Sequence, residues 1–477
     1  MFETGIRQFR MAISMVWGRR IDPQNIARLV EDALATLREF GSPGSDAQQL
    51  IDGPFTEPAE RLDFALRGLR RTARRLDAES PFYTRRFAAA DVRPDKLDIA
   101  ALRTIPVTVK RDLIHRQSEF RCADVAPYLT TRTTGTTGRP AEIWVSRYEL
   151  ELWSGLGSLA GILRDEIRPS DILQVNVSSR ATASVHLNVA VCRLVGAGCR
   201  VIGIVPPDEA LDSLRDGGST LLATCPSYLG ELVTAARRRG MGPGDFTLRR
   251  IDAGGEVLST SLVAAARETF GVDRVNDTFG MTEVIPVTAR RCSLGHLHHD
   301  INQGYVEVLD LETGEPAQPG ALGTVVITPY FPYRDCMPVF RYDTRDVVRV
   351  LPDEPLTCEV AGIPATSLVL GKADDMLRLA SGDVVTPRQL VEAVESLPSQ
   401  PWPARFRAAV QDGRLHVTLP DGAVHPRGVA ATLEHFAAHG LDVDLAIVGD
   451  DGARSLRHLR SDLHETTFVG RPTLVGE

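Results

Sequence analysis

The sequence predicts an α/β protein of more than one domain, and three observations carry that prediction. From residue 171 onward, short β-rich runs such as "DILQVNV", "CRVIGIVP" and "STLLATCP" alternate with helix-like stretches such as "YLGELVTAARRRG". Alternation of this kind belongs to a sheet connected by crossover helices. Between 305 and 350 the character changes: "YVEVLDLETGEPAQPGALGTVVITPY" reads as two strands around a Glu-Thr-Gly-Glu turn, and "VFRYDTRDVVRVL" follows. Beyond "LVLGKADDMLRLASGDVVTP" come a helix ("RQLVEAVESL"), a strand ("FRAAVQDGRLHVTL"), a helix ("VAATLEHFAAHG") and a strand ("DLAIVG"). The expected organisation is an N-terminal domain over 1–370, helical to about 120 and β-rich over about 285–370, and a C-terminal domain over 371–477.

The remaining elements follow from periodicity. "IARLVEDALATLREF" and "LDFALRGLRRTARRL" place apolar residues at helical spacing, so residues 24 to 79 read as helices. "ESPFYTRRF" and "TIPVTVKRDLI" are proline-punctuated connectors, each running into a short helix. A chain of 477 residues exceeds one compact core. Its net charge of −8 argues against a dedicated nucleic-acid or anionic-membrane surface. No apolar run approaches the roughly 18–20 residues that span a bilayer. The opening "MFETGIRQFRMAISMVWGRR" mixes charges into its apolar part and has no small-residue cleavage site. Seven scattered cysteines do not form a disulfide framework. The expected compartment is the cytoplasm. Lysine occurs only at Lys96, Lys110 and Lys372, so lysine chemistry has few possible addresses.

"TTRTTGTTGRP" (130–140) crowds six threonines and two glycines into nine positions before an arginine. Glycines let backbone N–H groups turn toward an anion, hydroxyls add donors, and the arginine adds charge. An isolated cluster of this composition is also an ordinary polar turn, and its spacing is not that of the P-loop. Four later stretches give it weight by their order: "IDAGGEVLST" (251–260), "VNDTFGMTEV" (275–284), "FRYDTRDVV" (340–348) and "GKADDMLRL" (371–379). Each alone is an ordinary strand end or solvated turn. Together they offer what ATP needs: a phosphate loop, an aromatic plane for adenine, a Thr/Glu pair for phosphate and Mg²⁺, and a carboxylate for the ribose hydroxyls.

This series resembles the adenylate-forming superfamily of acyl-CoA synthetases, peptide-synthetase adenylation domains and luciferases, within it the phenylacetate–CoA ligase branch. "ESPFYTRRF…IPVTVKRDL", "TTGTTGRP", "CPSYL" (225–229), "FGMTE", "RYDTRD" and "GKADDMLRLASGDVVTPRQL" carry the likeness over roughly residues 60 to 395. The resemblance implies stacked sheets in the N-terminal domain and a mobile α+β C-terminal cap hinged near Gly371–Asp375. It also implies two half-reactions: a carboxylate attacks the α-phosphate of ATP·Mg²⁺, and a thiol then displaces AMP. That thiol is CoA or a carrier-protein phosphopantetheine. The implied partners are thus a small carboxylic acid, aromatic by family likeness, and a thiol carrier; a homodimer is within the range the family allows.

The implied roles transfer by position. Thr133, Thr134, Gly135, Thr136, Thr137, Gly138 and Arg139 would wrap the β,γ-phosphates. Gly254, Gly255, Glu256, Asp277, Phe279 and Gly280 would line the nucleotide slot, with Phe279 stacking on the base. Thr282 would meet the α-phosphate, Glu283 the Mg²⁺, and Asp346 the ribose. Lys372 stands where the family usually has arginine. Trp144, Val145, His186 and Tyr228 are the candidates for the acyl pocket, although such residues are more often plain core.

Two departures stand out. Most of the family places a catalytic lysine near the C-terminus, yet beyond Lys372 this chain has none. "GDDGARSLRHLRSDLHETTF" offers Arg454, Arg457 and Arg460 instead, with Arg454 and Arg457 the leading substitutes. Three readings stay open: an arginine substitutes, adenylation proceeds slowly without it, or only one half-reaction or a non-thiol acceptor is served. The second departure is "RRCSLGHLHHD", which places Cys292 six residues before His298, with His296 and His299 nearby. Thiolate and imidazole suit tetrahedral Zn²⁺, and some relatives carry a structural zinc here. The expected ligands are Cys292, His298, Cys336 and Cys358.

Overall fold

The computed structural model describes residues 20–40, 57–133, 141–178, 182–352, 354, 356–399 and 402–449. In chain order come helices α1 (Pro23–Phe40), α2 (Pro58–Glu79), α3 (Pro81–Ala89), α4 (Ile99–Thr104) and α5 (Lys110–Phe120). The hairpin β1 (Leu129–Arg132) and β2 (Glu142–Val145) and helix α6 (Arg147–Leu163) follow. Ser146 fixes the start of α6 with a reciprocal cap: its hydroxyl accepts the Glu149 N–H at 3.1 Å, and the Glu149 carboxylate accepts the Ser146 N–H at 2.6 Å.

The alternating region then builds β3 (Ile172–Val175), α7 (Thr182–Val195), β4 (Gly198–Val201), α8 (Pro207–Asp216), β5 (Leu221–Thr224), α9 (Pro226–Arg238), β6 (Arg250–Gly254), α10 (Thr260–Phe270) and β7 (Arg274–Phe279). Strands β8 (Ala289–Arg291) and β9 (His296–His299) return antiparallel. With β13 (Ala365–Ser367) they complete an eight-stranded sheet in the order β13-β9-β8-β7-β6-β5-β3-β4, whose β3 to β7 are parallel. Parallel strands buried on both faces need apolar residues in succession rather than alternation. "LLAT" supplies them: Leu221 packs with α1, α6 and α7 on one face, and Leu222 with α8, α9 and α10 on the other. Burying each leucine contributes about 1.5–3 kcal/mol.

The β-rich region is not one unit. Strands β10 (Gly304–Asp310), β11 (Leu322–Pro329), β12 (Tyr342–Arg349) and β14 (Gly371–Lys372) form a separate four-stranded sheet, whereas β8, β9 and β13 extend the large one. The small sheet packs against α2–α5 and the β1–β2 hairpin in a third core that includes Tyr83, Phe87, Phe120, Tyr330 and Phe340.

The C-terminal unit has its own core, built from Leu390, Val394, Phe406, Val417, Leu419 and Phe436 among others. It contains the short pair β15 (Leu377–Arg378) and β16 (Val384–Val385), then helix α11 (Pro387–Glu395), β17 (Arg407–Gln411), β18 (Arg414–Pro420), α12 (Val429–Ala438) and β19 (Val443–Val448). The stretch "FRAAVQDGRLHVTL", expected to be a single strand, is a hairpin. Asp412 and Gly413 both have positive φ (51° and 76°), as a tight two-residue turn requires. Helix α11 docks on the start of α10, which covers one face of the large sheet: the Glu392 carboxylate accepts the Thr260 N–H at 2.9 Å.

Candidate active site

In an open parallel sheet, ligands gather beyond the carboxyl ends of the strands, and the sequence motifs converge there. The ends of β3 (Val177, Ser178), β5 (Thr224, Cys225), β6 (Gly254–Glu256) and β7 (Phe279–Glu283) open into one cleft of about 1920 Å³. Pockets for a single drug-sized molecule run to about 300–1,000 Å³, so this cleft has room for a nucleotide and a second substrate together. The small sheet closes it from the opposite side with Tyr342, Thr344, Asp346 and Lys372.

The backbone geometry explains the glycines. A Cβ on Gly254 would lie 2.4 Å from the Thr278 hydroxyl oxygen, and Gly255 has φ +86°, so the chain can turn sharply where it meets β7. Glu256 fixes that turn: its carboxylate accepts the Ser227 N–H at 2.8 Å and the Ser227 hydroxyl at 3.1 Å. Phe279 is half-buried at the end of β7 and meets the His299 ring edge-on. Asp277 faces Arg388 of α11, with 3.4 Å between Oδ2 and Nη2. Burial pushes its carboxyl up and Arg388 opposes that shift.

Glu283 is buried, and the Tyr342 hydroxyl donates to its Oε1 at 3.3 Å. Asp346 lies opposite Lys372 across the β12–β14 pair, and their side chains meet at 2.9 Å. Lys372 also donates to the Thr344 carbonyl at 3.0 Å. Thr133 closes the neck of the threonine-glycine loop: its N–H donates to Ala141 O at 2.9 Å, and its hydroxyl accepts the Ala141 N–H at 3.0 Å. Thr134, Gly135, Thr136, Thr137, Gly138 and Arg139 lie outside the described residues, as do Arg454, Arg457 and Arg460.

The four acyl-pocket candidates do not reach the cleft. Tyr228 is fully buried, its hydroxyl donating to Val205 O at 2.6 Å. Val145 is core, Trp144 packs on the same core from β2, and His186 points into solvent from α7. Large apolar side chains such as Val145 and Tyr228 are drawn first into packing. Leu187, one residue on from His186, lines the cleft with Val177, Ser178 and Cys225 instead.

Beside the cleft, Cys292, His296, His298 and Cys358 each offer one ligand atom, all within 4.8 Å of one another. Cys336, expected as a ligand, does not join them. It is fully buried in the third core, donates its N–H to Glu149 at 3.2 Å, and burial pushes its thiol up to about 12. His296 takes its place. On strand β9, residues i and i+2 share a face, so His296 and His298 face the thiols while His299 bonds Thr366 at 3.0 Å on the other side. That period of two was readable in "HLHH". The turn is shaped for a thiolate: the His296 N–H donates to Cys292 Sγ at 3.2 Å, and Gly295 takes φ +81°. The His298 Nδ1 faces Ile363 O at 2.9 Å, which leaves Nε2 beside Cys358 Sγ at 3.3 Å. The His296 Nδ1 is buried and has no hydrogen-bond partner among the described residues. Two thiols and two imidazoles at this spacing fit tetrahedral Zn²⁺.

A parallel sheet with this cleft, faced by a small sheet and followed by a separate α+β unit, defines an adenylate-forming enzyme of the acyl-CoA synthetase type. The chain belongs to the family described as "AMP-binding enzyme", whose profile matches residues 91–330. It is 26% identical to the phenylacetate-coenzyme A ligase of Pseudomonas putida over 332 residues, 66% of this chain and 71% of that one. The phenylacetate-coenzyme A ligase of Aromatoleum evansii is 27% identical over 333 residues, 66% and 70% of the two chains. A crystallised 2-hydroxyisobutyryl-CoA ligase in its postadenylation state shares the fold with a TM-score of 0.70 at 20% identity, over 87% of this chain and 90% of the other. Among the described residues no helix is long and apolar enough to cross a membrane.

Proposed function

We propose that the protein activates a small carboxylic acid as its acyl-adenylate and passes the acyl group to a thiol, making it an AMP-forming acid–thiol ligase. The observation that carries this reading is the meeting, in one cleft, of the β6 and β7 strand ends with the small sheet's Asp346 and Lys372. In the first half-reaction a carboxylate oxygen bonds to the α-phosphorus of ATP and pyrophosphate leaves. In the second, the thiol sulfur bonds to the acyl carbon and AMP leaves. The protein's part is to position the reactants and neutralise charge, since the carboxylate and the polyphosphate are both anions.

The assigned roles are these. Phe279 and the Gly254–Glu256 turn hold the adenine, Asp346 the ribose hydroxyls, and residues 133–139 the terminal phosphates. Thr282 contacts the α-phosphate. Glu283 would hold Mg²⁺, which when bound offsets the charge of the phosphates. Leu187, Val177 and Ser178 shape the acyl end, in place of the aromatic set expected from sequence. The acceptor is CoA or a carrier-protein phosphopantetheine, and the unit after Gly371 acts as the cap. Cys292, His296, His298 and Cys358 would hold a structural Zn²⁺, which when bound would tie the β8–β9 turn to the loop before β13.

The test is pyrophosphate release with a panel of carboxylic acids, phenylacetate first. Release with one acid class, followed by thioester formation with CoA or a holo carrier protein, supports the ligase. Release without thioester formation favours the half-reaction or non-thiol reading. ATP binding in the absence of acid gives a second check. Asp346→Ala removes a charge-assisted contact to the ribose of about 1.5–3 kcal/mol, so calorimetry should show ATP affinity falling roughly ten- to a hundredfold. Unchanged affinity would remove the ribose role from Asp346.

A further inference from the structure

Two of the chain's three lysines face the cleft, and they are in opposite electrostatic situations. Lys372 is satisfied by Asp346 and the Thr344 carbonyl. Lys96 is exposed in the short helical turn Pro94–Lys96, away from the cleft. Lys110 lines the cleft with Glu283, Tyr342 and Lys372, and makes neither a hydrogen bond nor an ion pair with any described residue.

Its placement is held firmly from behind. The Arg341 guanidinium, almost fully buried, donates to the carbonyls of Leu102 and Arg103 at 3.1 and 3.2 Å and to that of Ile105, and it pairs with Glu307. Thr108 is bridged to β12: its N–H donates to Arg341 O at 2.8 Å, and its carbonyl accepts the Asp343 N–H at 2.9 Å. Two residues later Lys110 opens α5. Asp112, which sits in the same turn, is already engaged by the Val109 N–H at 3.2 Å and by Arg86 at 3.5 Å. The segment that carries Lys110 is therefore stapled to the strand that carries Asp346.

That position is unfavourable for an unoccupied protein. A cation in the first turn of a helix has the wrong sign for the helix dipole. Burial pushes the Lys110 ammonium below its ordinary value and nearby Lys372 adds to the shift, with Glu283 opposing. An anion entering the cleft relieves both costs. We propose that Lys110 supplies the positive charge over the attacking carboxylate and the α-phosphate during adenylation, in place of the C-terminal lysine this chain lacks. The inference rests on the ligase reading above. Lys110 remains protonated throughout: the carboxylate oxygen forms its bond to phosphorus, the bond from phosphorus to the pyrophosphate oxygen breaks, and no proton moves. The role differs from that of Arg454 or Arg457, because Lys110 is fixed in the N-terminal domain and does not depend on movement of the C-terminal unit.

Two measurements on the full chain test it. With an acid that the wild type accepts, Lys110→Met should lower ATP–pyrophosphate exchange at least tenfold while thioester formation from supplied acyl-AMP stays within about twofold. Lys110→Arg should recover part of the exchange. The second measurement needs no acid: with only three lysines, acetylation by an amine-selective reagent can be followed residue by residue by mass spectrometry. Saturating Mg·ATP should slow modification of Lys110 at least fivefold and leave Lys96 unchanged. Wild-type exchange in Lys110→Met, equal loss of both half-reactions, or modification of Lys110 indifferent to Mg·ATP overturns the proposal and leaves the ligase reading standing. Loss confined to Arg454→Ala or Arg457→Ala returns the role to the C-terminal unit. A wild type that neither binds Mg·ATP nor exchanges pyrophosphate with any acid overturns both.

Discussion

Purified protein is expected to carry about one equivalent of zinc, and stripping that metal should destabilise the wall of the cleft. The four proposed ligands come from three segments: the turn after β8, strand β9, and the loop that leads to β13. Without a metal, the buried His296 Nδ1 has no hydrogen-bond partner among the described residues, and the thiols rest on weak sulfur contacts such as Cys358 Sγ to His298 Nε2 at 3.3 Å. Structural zinc contributes on the order of 10 kcal/mol in small zinc-finger peptides. A smaller share is expected here, because β8 and β9 are also held in the large sheet by hydrogen bonds. Even about 2 kcal/mol would lower the melting midpoint by roughly 2–4 °C in a domain of this size, since the shift per kcal/mol shrinks as the domain grows. Cys358→Ser and His296→Ala should each lose the metal and lower the midpoint. Cys336→Ser should keep the metal, because its thiol belongs to another core. Chelator-washed protein with less than about a tenth of an equivalent and an unchanged midpoint would rule out a structural zinc, since such a site adds directly to folding free energy.

The contrast between Cys336 and His296 shows what could be read from the sequence. The alternation of β-rich and helical runs was legible because β3 to β7 repeat one unit, a short apolar strand and a crossover helix, and local pattern specifies that unit. The motif ends of β6 and β7 were legible for a related reason: glycine pairs and polar residues just past an apolar strand mark its carboxyl edge. Cys336 and Cys358 follow Cys292 within the one stretch expected to be a β-rich subdomain, but spatial grouping depends on which sheet each segment joins. β13 crosses back to β9, while the Cys336 segment turns into β12 and the other core. The acyl-pocket candidates, which are not among the residues lining the cleft, raise the same difficulty. Nothing local distinguishes Tyr228, whose hydroxyl is spent on Val205 O, from an aromatic residue facing a ligand. The Asp-Gly of the β17–β18 hairpin is a further local signal, and the scarcity of lysine narrows lysine chemistry to three positions, Lys110 among them.

Glu283→Gln is expected to cut the adenylation rate by about a hundredfold to a thousandfold, the usual cost of removing preorganised charge at a reacting centre, and to leave the fold as stable as before or more so. The argument turns on how poorly Glu283 is satisfied. Its side chain is 2% exposed, and the one hydrogen bond it receives from the described residues is the 3.3 Å contact from Tyr342. Removing a carboxylate from water costs several kcal/mol unless a cation or good donors compensate. Lys110 offsets part of that cost without forming an ion pair. Such a group weakens the resting protein, and it is useful only when a cation enters the cleft. Gln has the same shape without the charge, so it relieves the burial cost while removing the proposed ligand for Mg²⁺. Three readouts should therefore separate. The melting midpoint should hold or rise, ATP binding without Mg²⁺ should change little, and pyrophosphate exchange should collapse together with its dependence on Mg²⁺ concentration. A stable variant with wild-type exchange at saturating Mg²⁺ would mean that Glu283 is a buried structural carboxylate and that the metal is held elsewhere. A midpoint that falls along with the rate would instead make Tyr342–Glu283 a contact the fold requires, and the rate loss could then no longer be assigned to lost charge.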